Sequence, residues 1–217
     1  MKISTHLFIL SGALDSFERL DNFLKQPELE PLKQEEDPIE GDPSIRVYIH
    51  DADFSYEGVP KPTLKFLNMK VKQGEVIAIV GDVGAGKSSI LSSILGRLRK
   101  DNGICKIRGS ISYVPHDAWL LNDTLKENIL FGNDYDHKKY QEVKHICALS
   151  KDLSLLSNGD MTEIGDRGVN LSLGQRQRVS LARAVYSDAD IILLDDPLRF
   201  EIAHFFFFLY KDFYFLY

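Results

Sequence analysis

The chain has 217 residues, 44% hydrophobic and 27% charged, which is enough apolar material for a core and too much for a chain disordered throughout. Its 26 Lys and Arg against 32 Asp and Glu give a net charge of −6, which argues against nucleic-acid binding through a basic face. Cys105 and Cys147 are too few for a disulfide framework and lack zinc-ligand spacing, and no uncharged apolar run is long enough to span a bilayer.

Leu14, Phe17, Leu20 and Leu24 recur at three- and four-residue spacing with charged residues between them, so residues 1–24 read as an amphipathic helix. Residues 26–44 hold Pro27, Pro31, Pro38 and Pro43 among acidic side chains, the composition of a solvated linker. Ile45 to Phe54 alternates like an antiparallel strand. Val76–Val80 is a continuous apolar run, as in a strand buried on both faces of a parallel sheet. After Lys87 the apolar positions Ile90, Leu91, Ile94, Leu95 and Leu98 take up a helical period. From Thr124, where Thr124 and Glu127 have capping-box spacing, to Tyr186 the pattern is helical, and Ile191–Leu194 reads as a second buried strand. The expected organisation is a helix and acidic linker over 1–43, an α/β domain over 44–198 with a helical subdomain at about 117–185, and a tail over 199–217. The tail carries seven of the chain's thirteen Phe and is an aggregation liability wherever it is exposed.

Three motifs carry chemistry. Gly81-Asp82-Val83-Gly84-Ala85-Gly86-Lys87-Ser88 is the G-x-x-x-x-G-K-S pattern of a P-loop, set between a strand-like run and a helix. Backbone N–H groups from Gly81 through Gly86 are aimed at phosphate oxygens. Lys87 bridges the outer phosphates, Ser88 ligates Mg²⁺, and Ser89 follows on the same helix tip. Ile191–Leu194 runs into Asp195 and Asp196. The first is suited to hold Mg²⁺ through water and the second to orient an attacking water. Asn170-Leu171-Ser172-Leu173-Gly174-Gln175 opens a third segment. There Ser172 and Gln175 have capping-box spacing, so a helix begins with free N–H groups and a hydroxyl at its tip.

That third segment closely resembles the LSGGQ signature of ATP-binding cassette (ABC) proteins, and P-loop, signature and acidic strand follow in the family's order. Tyr113-Val114-Pro115-His116-Asp117-Ala118-Trp119, Asn128–Gly132 and Thr162–Asn170 look like the first cassette of a multidrug-resistance-associated, C-subfamily exporter. The resemblance covers roughly residues 12–198. It implies a mixed α/β P-loop NTPase fold with an antiparallel β part and a helical subdomain, C-terminally incomplete after the acidic strand. It implies ATP and Mg²⁺ as cofactors, with Tyr56 stacking on adenine. Ser172, Gly174 and Gln175 would face a nucleotide held by a second cassette. Thr124–Gly132 and Thr162–Gly168 match segments that contact transmembrane domains, which places the cassette at the cytoplasmic face of a membrane.

Departures from the family pattern qualify the expected hydrolysis. His116 stands where the family has a glutamine that senses Mg²⁺ and the attacking water. Leu173 replaces the first signature glycine, and a helical side chain leans toward the N-terminus, here toward the expected phosphate. Asp196 replaces the usual glutamate. After Pro197 and Leu198 the match stops, and His204 is too close to Asp196 to be the family's phosphate-contacting histidine. A degenerate, non-hydrolysing regulatory cassette or an inactive gene fragment is therefore the alternative reading. A chromosome- or repair-type ATPase is disfavoured, because no long coiled-coil insertion separates P-loop and signature.

Overall fold

The computed structural model describes residues 2–25, 38–165 and 171–196, with side chains of the first helix described from residue 12 onward. The chain divides into two units, 1–31 and 32–217. The first contains α1 (Lys2–Leu24), whose Leu14, Phe17, Leu20 and Leu24 are exposed along one stripe, with Asp21 and Lys25 paired one turn apart. Among the described residues no helix is long and apolar enough to cross a membrane. Most of the expected linker, residues 26–37, and all of the aromatic tail lie outside the described residues. The linker's end is docked: Ile39 is fully buried, and Glu40 and Asp42 pair with Lys70 and Lys72.

In the second unit, β1 (Ile45–Ser55) is the middle strand of an antiparallel sheet, between β2 (Leu64–Lys72) and β3 (Arg99–Ile107). Its alternating Val47, Ile49 and Phe54 point into one core. The register of β1 shifts between Ile49 and Ala52, where Asp51 has φ 44°. There β3 passes so close that a Cβ on Gly103 would overlap the Asp51 carbonyl, so only glycine fits. The α2 helix (Lys87–Ile94) packs Leu91 and Ile94 into this core, which also takes in Leu193.

β4 (Ile111–Val114) and β5 (Ile191–Leu194) form a parallel pair in which Val114 lies opposite Leu194. The entry to β5 is pinned by Asp190, which accepts from Ser110 N and Oγ and pairs with Arg46. Between the two strands run α3 (Leu125–Leu130), α4 (His137–Ile146), α5 (Leu149–Ser154), a 3₁₀ turn and α6 (Leu173–Tyr186). Their apolar faces, with Ile129, Tyr140, Leu149, Val179, Leu181 and Tyr186, make a second core. The Thr124 hydroxyl accepts from Glu127 N, as its spacing implies.

The sequence expectation at Val76–Val80 needs correction. The segment is not assigned to a strand and pairs with none among the described residues. Val76 and Ile77 are exposed, Val80 is 91% exposed, and only Ile79 reaches the first core. An apolar run supplies the side chains of a buried strand, but its ladder comes from neighbours, and neither described sheet provides one here.

Candidate functional site

Gly81, Val83, Gly84 and Ala85 form an exposed turn leading into α2, closed by a bond from Ala85 N to the Asp82 carbonyl. Gly86 caps α2 at φ 95°, a left-handed conformation that side chains rarely adopt, and a Cβ there would press on Leu64 at 3.2 Å. The first turn of α2 has no side-chain cap, so its N–H groups remain directed at the loop. The Lys87 ammonium bends back and donates to the Gly81 and Asp82 carbonyls at 2.7 and 2.8 Å, which holds a mobile cation over the turn.

The acidic end of β5 comes to the same place. Ser88 Oγ donates to Asp195 Oδ1 at 2.9 Å across 107 residues of sequence. Asp195 Oδ2 accepts from the Tyr113 hydroxyl at 3.2 Å. Burial and the adjacent carboxylate push the Tyr113 phenol above its usual range, so it stays a donor. Two hard oxygen ligands, one anionic, adjoin a phosphate-shaped turn. Among the described residues no cluster of three His, Cys, Asp or Glu could hold a metal alone. Such a donor set fits Mg²⁺, which is bound through one or two protein oxygens together with substrate phosphates.

Asp196 follows at φ 53° and is exposed. His116 Nε2 lies 3.6 Å from Asp196 Oδ2, and His116 Nδ1 lies 3.3 Å from Asp117 Oδ1. The two substituted positions therefore face each other. Tyr56, 41% exposed, has its hydroxyl 3.1 Å from Ser89 Oγ at the start of α2, so the aromatic borders the P-loop helix.

The described hydrogen bonds of the signature residues run within α6 and to Asp152. Ser172 and Gln175 form a full capping box, and Leu173 is exposed at the helix tip. Gln175 reaches Asp152 at 3.5 Å, and Arg178 grips the same carboxylate at 2.6 and 2.9 Å. Among the described hydrogen bonds none joins Ser172, Gly174 or Gln175 to the P-loop. Thr124 and Glu163 are bridge partners, and Leu125 N donates to Thr162 O, so two of the segments matched to membrane-domain contacts are adjacent; residues 166–168 lie outside the described residues.

Four residues of this neighbourhood escape sequence reasoning. Tyr113 holds Asp195. Gln177 Nε2 donates to the carbonyls of Pro115 and His116. Buried Asn128 bonds both the N–H and the carbonyl of Leu121. Arg183 bonds Asn128 and packs its guanidinium against the rings of both Trp119 and Phe131, at 4.8 and 4.6 Å; burial lowers its pKa to about 10. Tyr113, Gln177 and Arg183 reach partners more than fifty positions away, and Asn128 is joined to one of them, Arg183, so no local pattern marks these contacts. Burial also pushes the Cys105 and Cys147 thiols up, to about 11 and about 12, which makes both poor nucleophiles.

A family model described as ABC transporter matches residues 64–199. The chain is 49% identical over 195 residues to "ATP-binding cassette sub-family C member 3" of Homo sapiens, covering 90% of this chain and 13% of that protein. It is 51% identical over 158 residues to "ATP-binding cassette sub-family C member 2" of Mus musculus, covering 73% and 10%. Against "ABC transporter C family member 3" of Dictyostelium discoideum it is 47% identical over 191 residues, covering 86% and 13%. The chain thus spans about an eighth of the length of such relatives.

Proposed function

The chain belongs to the ABC transporter family, and we propose that its second unit is a nucleotide-binding cassette that holds Mg·ATP at the P-loop and serves as one motor or regulatory module of a larger membrane exporter. The observation that carries this reading is the Ser88–Asp195 bond beside the Lys87-crossed turn. It brings the P-loop serine beside a carboxylate, which supports a nucleotide-bound Mg²⁺ at this place. In this reading the P-loop amides and Lys87 bind the phosphates, while Ser88 and Asp195 hold the metal, which neutralises phosphate charge. Asp196 and His116 border the attacking water. Ser172, Gly174 and Gln175 face a nucleotide on a second cassette. The adjacency of Thr124 and Glu163 supports a surface for transmembrane domains. The module then works at the cytoplasmic face of a membrane.

The test is metal dependence. In the wild-type chain ATP is expected to bind more tightly with Mg²⁺ than with a chelator present. Asp195→Asn is expected to abolish most of that difference while leaving metal-free binding nearly unchanged. A D195N protein with undiminished Mg²⁺ dependence would remove Asp195 from the site.

Tyr56 gives a second test. Stacking is worth about 0.5–1.5 kcal/mol beyond area burial, so Tyr56→Ala is expected to weaken ATP binding by up to about tenfold, while Tyr56→Trp largely preserves it. Equal losses in both variants, with equally lowered melting temperatures, would make Tyr56 a packing residue only.

The degenerate-cassette reading is favoured by one observation: Asp196, with its short side chain, faces His116 where a longer carboxylate and an amide are the family's usual pair.

A further inference from the structure

We propose that Gln177 is a positioning residue that ties the signature-bearing helix α6 to the loop carrying His116. The inference rests on the reading that His116 and Asp196 border the phosphate end of the nucleotide. Gln177 is 1% exposed, and its single NH₂ donates to two successive carbonyls, Pro115 O at 2.9 Å and His116 O at 3.1 Å. Its Oε1 is buried with no hydrogen-bond partner among the described residues. For stability alone this is an unfavourable choice, since an unpaired buried acceptor carries a desolvation penalty and methionine fills a similar volume without one. What the amide adds is direction: it fixes two consecutive peptide units of a loop that no sheet ladder holds beyond Val114.

The same helix grips the loop again two turns later. Arg183 lies 4.8 Å from the Trp119 ring and bonds the Asn128 amide that holds both backbone groups of Leu121. Residues 115–121 are thus fastened to α6 at both ends. In this loop His116 lies 3.6 Å from Asp196 at the acidic strand end. The tip of α6 carries Ser172, Gly174 and Gln175, so a displacement of that tip is carried through Gln177 into the His116–Asp196 contact. Gln177 itself touches no nucleotide.

Trp119 is the only tryptophan of the chain and reports on this loop directly. In the full chain, Gln177→Met is expected to keep cooperative unfolding with an unchanged or raised melting temperature. It is also expected to increase acrylamide quenching of Trp119 and to weaken Mg·ATP binding by up to about tenfold, with ATP affinity in chelator unchanged. Val179→Ala, a buried change on the same helix, is expected to lower the melting temperature without altering quenching or metal dependence. A folded Q177M chain with wild-type quenching and wild-type Mg·ATP affinity would overturn the proposal. So would a Q177M chain that no longer unfolds cooperatively, since Gln177 would then be a general core residue. Failure of the wild-type chain itself to bind ATP in calorimetry would remove the underlying nucleotide reading, whereas wild-type binding with an indifferent Q177M removes the positioning role alone.

Discussion

At saturating Mg·ATP the isolated 217-residue chain is expected to release phosphate no faster than its Lys87→Ala variant. Catalysis of phosphoryl transfer is positioning plus electrostatic stabilisation, and losing one well-placed contact lowers the rate about a hundredfold to a thousandfold. Three such contacts are altered. His116 presents an imidazole, its Nε2 3.6 Å from Asp196 Oδ2, where the family pattern has a glutamine amide. Asp196 is a methylene shorter than the glutamate of the family pattern. Leu173 is exposed at the tip of α6, where the resemblance places an opposing phosphate, and its apolar side chain offers no hydrogen bond. The site as proposed is also shared between two cassettes, and Ser172, Gly174 and Gln175 make no described bond to their own P-loop.

His116→Gln together with Asp196→Glu is therefore expected to raise turnover only when a complete partner cassette is supplied. A clear K87A-sensitive phosphate release by the unmodified chain alone would show that the altered contacts are tolerated, and would favour a working motor over a regulatory cassette.

The P-loop and the signature were legible because their geometry is local. The turn from Gly81 to Gly86 needs only backbone freedom, and the Ser172–Gln175 box closes within one helical turn. β1 was legible for a similar reason, since its alternation over Ile45–Phe54 is long enough to set a period. Strand partners were not legible. Val76–Val80 has the side chains of a buried strand, yet it pairs with no described strand, whereas Ile111–Val114, with a Ser and a Tyr in four residues, finds β5 eighty residues away. The Ser88–Asp195 bond joins two residues that the sequence had each marked as a Mg²⁺ ligand, the one in the P-loop and the other at the end of β5. The clamps made by Gln177, Asn128 and Arg183 were not legible, because amides and a half-buried guanidinium within a helical pattern read as ordinary polar positions until their distant carbonyl, amide and ring partners are known.

Loss of the P-loop cation is the second large effect, and it bears on binding itself. The Lys87 ammonium sits on two carbonyls of its own turn, at 2.7 and 2.8 Å, close enough to the phosphate cradle to exchange those neutral acceptors for anionic ones when ATP enters. Charge-assisted bonds of this kind are worth about 1.5–3 kcal/mol, roughly a tenfold to hundredfold change in affinity. The substitution leaves the apolar face of α2, Leu91 and Ile94, untouched, so the fold is expected to survive it. The direct measurement is a calorimetric titration of Mg·ATP into the wild-type and K87A chains, with unfolding curves recorded on both. The account predicts binding by the wild type and at least about tenfold weaker binding by a K87A protein that still unfolds cooperatively; equal affinity in two folded proteins would contradict it.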